Sequence, residues 1–254
     1  MIENYSKLLS NFKPISIDEM ENVALCNRVD SKFIMTVGDL QMIFPCLLSN
    51  YYILDISGQR IFSYENNYFD TPDLQFYKDH HNGYVNRIKV RSRKYVESDL
   101  CFFEIKKKEK IERTNKLREN IPDMINEIDS DRKSIIQYYS RRKIDELDFI
   151  LQNNFHRMTF VDFQHTERVT IDIDLSFEDE NKSVSFGDIA IVEVKHSKNS
   201  ITSPLAYCLK EHHIRKQGMS KYVYGVITLK QNVKTNNFKP LLSKLTELRS
   251  HGTR

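Results

Sequence analysis

Between Asn86 and Tyr95 a cation stands at every second position: Arg87, Lys89, Arg91 and Arg93, with Tyr95 continuing the row. Ile88, Val90 and Ser92 occupy places between them. Side chains on a β-strand alternate faces, so the cations project to one side and the aliphatic residues to the other. Four like charges stacked on one face repel, and a wet surface usually mixes its signs. The row is explained if a polyanion lies against it, because every charge then finds a partner.

The alternation recurs. Glu104, Lys106 and Lys108 share one face of the segment 101–108, with Phe103 and Ile105 on the other. Arg168, Thr170, Asp172 and Asp174 alternate with Val169, Ile171, Ile173 and Leu175. Glu193 and Lys195 stand opposite Val192 and Val194, and Lys116 with Arg118 adds another cationic pair. The net charge of the chain is only +3. A polyanion site must therefore arise from local segregation of charge.

The elements that would position these rows are mostly strands. The pattern predicts a short amphipathic helix in residues 1–12, a strand over 24–35 and a helix capped by Thr36 and disturbed by Pro45. Strands follow over 52–56 and 59–68, flanking a hairpin signal at Ser57-Gly58; Asn82-Gly83 marks a second turn. Further strands are expected over 100–108, 112–117, 155–163, 168–177 and 190–196. Residues 120–153 read as a helical insertion. Ser203 and Pro204 open a helix as N-cap and first-turn proline. The reading gives one domain over residues 1–235 and a C-terminal tail over 236–254, a short helix or frayed end.

The 254 residues, 29% of them charged and 40% apolar, suit a globular domain with a real core and exclude a disordered chain. No apolar run is long enough to span a bilayer, and the first 20 residues lack a signal-peptide core. Cys26, Cys46, Cys101 and Cys208 match no metal spacing and read as reduced thiols of a cytoplasmic protein. The fold class expected is α+β, built on an antiparallel sheet of about eight strands. An open sheet would leave the charged face wet, whereas a closed barrel would turn it into a lumen. Charges in a lumen need water and a counter-charged guest. Helices at three places could cover an outward apolar face, which favours the barrel.

Specific motifs occur in order: Arg28-Val-Asp-Ser-Lys-Phe33, Tyr68-Phe-Asp-Thr-Pro72, Lys89-Val-Arg-Ser-Arg-Lys-Tyr95, Phe103-Glu-Ile-Lys106, Glu193-Val-Lys195 and Ser220-Lys-Tyr222. Together they resemble the vacuolar transporter chaperone (VTC) domain, the polyphosphate polymerase branch of the triphosphate tunnel enzymes. The resemblance implies a closed antiparallel barrel wrapped by helices, and transfer of the γ-phosphate of ATP to a growing polyphosphate chain with Mn²⁺ or Mg²⁺. It implies that Lys32, Arg91, Arg93, Lys106, Lys116, Arg168 and Lys221 line the phosphate path, with Glu193 as the metal carboxylate. Tunnel hydrolases and cyclases carry a Glu-x-Glu-x-Lys near the N-terminus, where this sequence has residues 28–33. Fungal members have a lysine three residues before the one matched by Lys221; Gly218 stands there, and Lys216 is the substitute nearby. The phosphate-sensing SPX domain and membrane segment of fungal relatives are not expected here, which leaves regulation and coupling to transport open and makes a separate membrane partner one option.

Phosphoryl transfer asks for alignment and for cancellation of charge. The acceptor, a terminal phosphate oxygen, is already anionic, so no serine–histidine pair is required. Arg91, Arg93 and Arg168 suit the oxygens of the transferred group, because guanidinium forks bind phosphate in two places. Lys106 and Lys221 complete the reacting set. Lys32, Lys89, Lys116, Arg118, Lys195, Lys216, Ser220 and Tyr95 would contact the rest of the substrate. Glu104, Asp172 and Asp174 could join Glu193 on a metal, or pair across strands with Arg or Lys. His80, His81, His212 and His213 read as surface residues. The expected partners are ATP and inorganic polyphosphate. A tripolyphosphatase or nucleoside triphosphatase is the competing enzyme, and a non-catalytic polyphosphate-binding module the competing binder. Single-stranded nucleic acid is disfavoured, because the residues interleaved with the cations are mostly aliphatic and face away.

Overall fold

The computed structural model describes residues 2–21, 28–109, 114–197 and 203–251. The chain runs α1 (Ile2–Leu9), β1 (Pro14–Ile15), α2 (Ile17–Glu21), β2 (Arg28–Thr36), α3 (Leu40–Asn50), β3 (Tyr51–Leu54), β4 (Phe62–Asp70), α4 (Gln75–His81) and β5 (Ile88–Tyr95). It continues through β6 (Leu100–Lys108), β7 (Thr114–Ile121), α5 (Ser130–Ser140), β8 (Asp148–Asp162), β9 (Glu167–Glu178), β10 (Ser183–Phe186), β11 (Ile189–Ser197), α6 (Pro204–Glu211), α7 (Lys221–Leu229) and α8 (Lys239–His251).

Eight strands form one antiparallel path, β2-β11-β9-β8-β4-β5-β6-β7, with β1, β3 and β10 attached beside it. No ladder joins β2 to β7 among the described residues, so hydrogen bonds do not close the sheet into the expected barrel. The sheet nonetheless curls: Lys32 on β2 acts electrostatically on Lys89 of β5 and Lys106 of β6, at the opposite end of the path. The Ser57-Gly58 turn exists, both residues having positive φ and Ile56 bridging Gln59, but it makes no hairpin. β3 pairs with β1 and β8, while β4 pairs with β8 and β5.

The outer face of the sheet is apolar and covered by helices. Phe33, Met35, Met158, Phe160, Val169, Ile171, Val192 and Val194 pack with Leu9 of α1, with Leu40, Ile43 and Leu47 of α3, and with Leu205 and Leu209 of α6. Thr36 and Asp39 exchange backbone–side-chain hydrogen bonds of 2.9 and 3.1 Å, a capping box before α3, which continues through Pro45. Ser203 caps α6 by accepting from the Ala206 amide at 2.9 Å, as its sequence indicated. Farther along, Ile88, Val90, Phe103 and Ile105 pack under Ile136 of α5 and Phe76 of α4. Between β7 and β8 only α5 is helical, a shorter insertion than residues 120–153 suggested.

A break in alternation decides what fills the inner face. Asp174 has φ 57°, and the β8–β9 register shifts between Asn154 and His156. Such a bulge slips the period by one residue. Before it Arg168, Thr170 and Asp172 point inward; after it Leu175 and Phe177 do so instead and pack against α7. Tyr222, Val223 and Val226 of α7 fill that end of the concavity, and α8 packs beside them through Leu241, Leu245 and Leu248. Residues 239–251 thus contribute to the core. Gly225 is required by this contact, since a Cβ there would lie 2.7 Å from Phe177 and 2.8 Å from Leu151.

Candidate active site

The inner face is read most easily as rungs across neighbouring strands. On one wall Lys89, Lys106 and Lys116 stand abreast on β5, β6 and β7, followed by Arg91, Glu104 and Arg118, and then by Arg93 and Phe102. On the other wall Lys32, Glu193, Thr170 and Thr159 form a rung, with Ile191, Asp172 and Arg157 beyond it. Lys32, Asp172, Ile191, Glu193, Met219 and Lys221 line a cavity between β2, β11, β9 and the start of α7.

Glu104, Asp172 and Glu193 each face at least two cations. Arg91 donates to Glu104 through Nε at 2.7 Å and through Nη2; Lys116 lies 2.5 Å and Arg118 3.6 Å from the other Glu104 oxygen. Burial opposes ionisation of Glu104, but Arg91, Arg93 and Lys116 hold its pKa down to about 2. Asp172 accepts a two-point contact from Arg157, at 2.6 and 2.8 Å, and a further hydrogen bond from Lys221. Burial again opposes ionisation, yet these two cations keep Asp172 well below the usual carboxylate range. Glu193 meets Lys195 at 2.9 Å and Lys32 at 3.7 Å, and is held low in the same way against its burial.

The lysines carry the opposite strain. Among the described residues, Lys89 and Lys106 have no ion-pair partner. Burial, with Lys32 and Lys106 beside it, pushes Lys89 well below the normal lysine range. Burial and Lys32 lower Lys106 to about 8, and burial lowers Lys221 to about 8 despite Asp172. A site that makes protonated lysines uncomfortable when empty is one that an added anion would stabilise.

The aromatic residues form one end of the concavity. Tyr64 stacks on Phe155 with centroids 5.1 Å apart, and the guanidiniums of Arg93 and Arg157 lie 5.2 and 5.1 Å from its ring. Arg118 stacks on Phe102 at 3.6 Å and lies 5.4 Å from Tyr95. Delocalised guanidinium held flat against rings keeps its charge while its stem stays dry.

Asp70 anchors α7 in place. Buried beneath α4, it accepts from the amides of Phe76 and Tyr77 at 2.8 and 2.9 Å and from the Tyr222 hydroxyl. The residue next to Tyr222 is Lys221, so this staple fixes where the Lys221 ammonium sits. Burial raises Asp70 to about 6 even though these donors oppose the rise.

The structure thus brings Lys32, Lys89, Arg91, Arg93, Tyr95, Glu104, Lys106, Lys116, Arg118, Asp172, Glu193, Lys195 and Lys221 onto one concave face. It treats four others differently. Arg168 shares the face but sits at its far end opposite Lys195, its guanidinium donating to the Met20 carbonyl at 2.7 Å. Asp174, the bulge residue, turns out of the lumen towards His156, 3.6 Å away, and is therefore not a lumen carboxylate. Lys216 is exposed, joined to β2 only by a backbone bridge to Phe33. The Ser220 hydroxyl accepts from the Val223 amide at 3.4 Å as the cap of α7. Arg28 begins β2, but its side chain lies outside the described set, as does Cys26.

Three features escaped the sequence reading. Arg157 stands between Phe155 and Thr159 on an aromatic strand, a lone cation with no charge row to flag it. Asn66 holds Arg93 from the neighbouring strand. His80, expected on the surface, lies half-buried; burial and the charges of Lys89, Arg87, Lys108 and Lys106 push its pKa far down and keep it neutral. His81 is buried too, against Phe238.

A resident metal has limited support here. No group of three His, Cys, Asp or Glu that could hold an ion occurs among the described residues. Asp172 and Glu104 are spent on cations. Glu193 alone keeps an oxygen whose nearest cation, Lys32, is 3.7 Å away, and it stays ionised. That fits a divalent ion held chiefly by substrate phosphates, with Glu193 as the protein's carboxylate.

Among solved structures, a candidate adenylate cyclase of Bacillus halodurans is 12% identical with a TM-score of 0.51, covering 78% of this chain and 98% of its own. A candidate adenylyl cyclase of Hippeastrum, described as having a dominant triphosphatase activity, is 14% identical with a TM-score of 0.46, over 81% of this chain and 98% of its own. An RNA triphosphatase of S. pombe matches at 11% identity with a TM-score of 0.26, over 95% and 92% of the two chains. The first of these shares the overall fold. No curated protein sequence matches the chain significantly. No described helix is long and apolar enough to cross a membrane. The VTC domain family matches residues 27–230, most of the length. The chain belongs to the VTC domain family.

Proposed function

We propose that the protein is an ATP-dependent polyphosphate polymerase, transferring the γ-phosphoryl group of ATP to the end of a polyphosphate chain in the cation-lined concavity. The observation that carries this reading is the pair Lys89 and Lys106, which have no ion-pair partner among the described residues, in one rung with Lys116 and next to the guanidiniums of Arg91, Arg93 and Arg157. A terminal oxygen of the polyphosphate attacks the γ-phosphorus, the bond to the β–γ bridging oxygen breaks, and ADP leaves carrying the electron pair. No proton need move. The barrier is the meeting of two anions, and fixed cations lower it without reorganising.

In this mechanism Arg157 and Lys221, preset by Asp172, grip the transferred phosphoryl group, with Arg91 and Arg93 on the facing wall. Lys32, Lys89, Lys106 and Lys116 neutralise the remaining phosphates as point charges. Aromatic rings and α7 exclude water from the apolar end. A divalent cation held by Glu193 and the phosphates would withdraw charge from the β- and γ-oxygens.

Attack by the polyphosphate chain is favoured over attack by water because its terminal oxygen is already anionic, whereas water would need a base that the lumen carboxylates do not supply. A general base works best with a pKa near the operating pH. Glu104 lies near 2, and Asp172 and Glu193 are held low and bonded to cations. The test is incubation with ATP and Mn²⁺ or Mg²⁺ followed by product sizing. Long polyphosphate is expected; orthophosphate alone would replace this reading with a triphosphatase. Neither product, with tripolyphosphate still bound, would leave a binding module.

A further inference from the structure

We propose that Asn66 is a positioning residue: it aims the Arg93 guanidinium into the lumen through a neutral hydrogen bond that leaves the full positive charge available to phosphate. This rests on reading the lumen as the polyphosphate path.

Asn66 lies on β4 directly between Arg93 of β5 and Asn153 of β8 in the ladder, and it is wholly buried. Its Oδ1 accepts from Arg93 Nε at 2.7 Å, while its Nδ2 donates to the Asn153 carbonyl at 3.0 Å. With a donor on one side and an acceptor on the other, the amide has one satisfied orientation and cannot flip without losing both bonds. Asn153 is itself pinned, its Nδ2 donating to the Ser176 carbonyl at 2.9 Å. Tyr64 and Tyr95 confine the guanidinium laterally, with centroids at 5.2 and 6.0 Å.

The chemistry of the acceptor is what matters. Arg91 is bonded to Glu104 and Arg157 to Asp172, so each of those cations is already matched by a carboxylate. Arg93 has no ion-pair partner among the described residues. An aspartate at position 66 would make the same hydrogen bond and cancel the charge. An amide fixes the fork and cancels nothing. Using Nε for the anchor keeps the terminal nitrogens, the pair that grips a phosphate in two places, out of the Asn66 bond, although the Tyr95 hydroxyl also accepts a hydrogen bond from the Arg93 side chain.

The experiment is a double-mutant cycle on affinity for inorganic tripolyphosphate, measured by titration calorimetry at fixed salt. Asn66→Ala should weaken binding about 10-fold, the scale of one hydrogen bond to a charged group. In an Arg93→Ala background the same change should shift the dissociation constant less than about 2-fold, because Asn66 acts only through Arg93. A general loss of structure would lower the melting temperature and the affinity in both backgrounds alike. Asn66→Ser, whose hydroxyl is too short for Nε, runs through the same cycle if the alanine variant does not fold. Equal losses in both backgrounds, or no loss from Asn66 variants, overturn the inference while leaving the lumen as the binding site. If Arg93→Ala itself binds tripolyphosphate normally, both the inference and the phosphate path as drawn are wrong.

Discussion

Asp172 supplies the sharpest test, because one buried carboxylate balances two lumen cations. Asp172→Asn is nearly isosteric, so it leaves no cavity and its effect is electrostatic. In the empty protein it strands Arg157 and Lys221, which now contact the carboxylate through hydrogen bonds at 2.6 and 2.8 Å from the guanidinium and a further one from the ammonium. Removing one partner of a buried pair costs about 3–5 kcal/mol. At about 2–4 °C per kcal/mol for a chain of this size, the melting temperature should fall by roughly 6–20 °C. A bound polyanion supplies the missing negative charge. Tripolyphosphate at 100–1,000 times its dissociation constant stabilises the wild type by about 3–4 kcal/mol, and the variant should gain more. The assay is a thermal melt of both proteins, with and without ligand; the gap between them should at least halve on saturation. Because the folded pKa of Asp172 lies below its unfolded value of about 4, its contribution is fully present above pH 4 and fades as pH falls through the folded pKa, so the empty-protein gap should also narrow in acid. A gap that is absent in the empty protein, or unchanged by saturating tripolyphosphate, would refute the electrostatic account.

Lys89→Met should raise the melting temperature of the empty protein by relieving repulsion with Lys32 and Lys106, and should weaken tripolyphosphate about 10-fold; a destabilised variant would show that the lysine is better solvated than its surroundings indicate. Lys106 and Lys221 titrate near 8 in the folded state, below their unfolded value of about 10.4, so stability of the empty protein should rise between about pH 8 and 10. An anion restores their protons, hence tripolyphosphate binding should take up protons at pH 8.5 and weaken as pH climbs further; calorimetry in two buffers of different ionisation enthalpy counts those protons, and zero uptake contradicts the assignment. Gly225→Ala should cost about 1–3 kcal/mol from the clash with Phe177 and Leu151, read by denaturant unfolding, and a neutral result would mean α7 is free to shift.

The alternating rows were legible because period-2 placement is a property of the strand itself. Lys89, Arg91 and Arg93 could share a face on no other regular backbone, and Ile88 and Val90 named the opposite face as the buried one. The cap at Ser203 was legible for the same local reason: its hydroxyl accepts the amide three positions along its own chain. Ser220 shows the limit of a motif, since a residue quoted for a substrate role is occupied in holding a helix end.

What failed involved partners distant in sequence or slips of register. Asp174 obeys the alternation of Arg168 and Asp172 on paper, but a positive-φ bulge ends the alternation there and sends it outward. Arg157 carried no local signal; its importance comes from Asp172, 15 residues away on the next strand, and from Lys221 on a helix that folds back over both. The hairpin expected at Ser57-Gly58 formed its turn and not its ladder, because β3 found β1 and β8 instead.

Sequence alone determined the faces of the regularly alternating strands, the start of α6 and the excess of cations on one surface, since each is dictated by backbone geometry within a few residues. Tertiary structure decided that those surfaces curve towards one another, which cations are already matched by Glu104 and Asp172, and which, like Lys89 and Arg93, are left with charge to spare. Coulomb energy depends on distance through space, and the chain does not print that distance along its length.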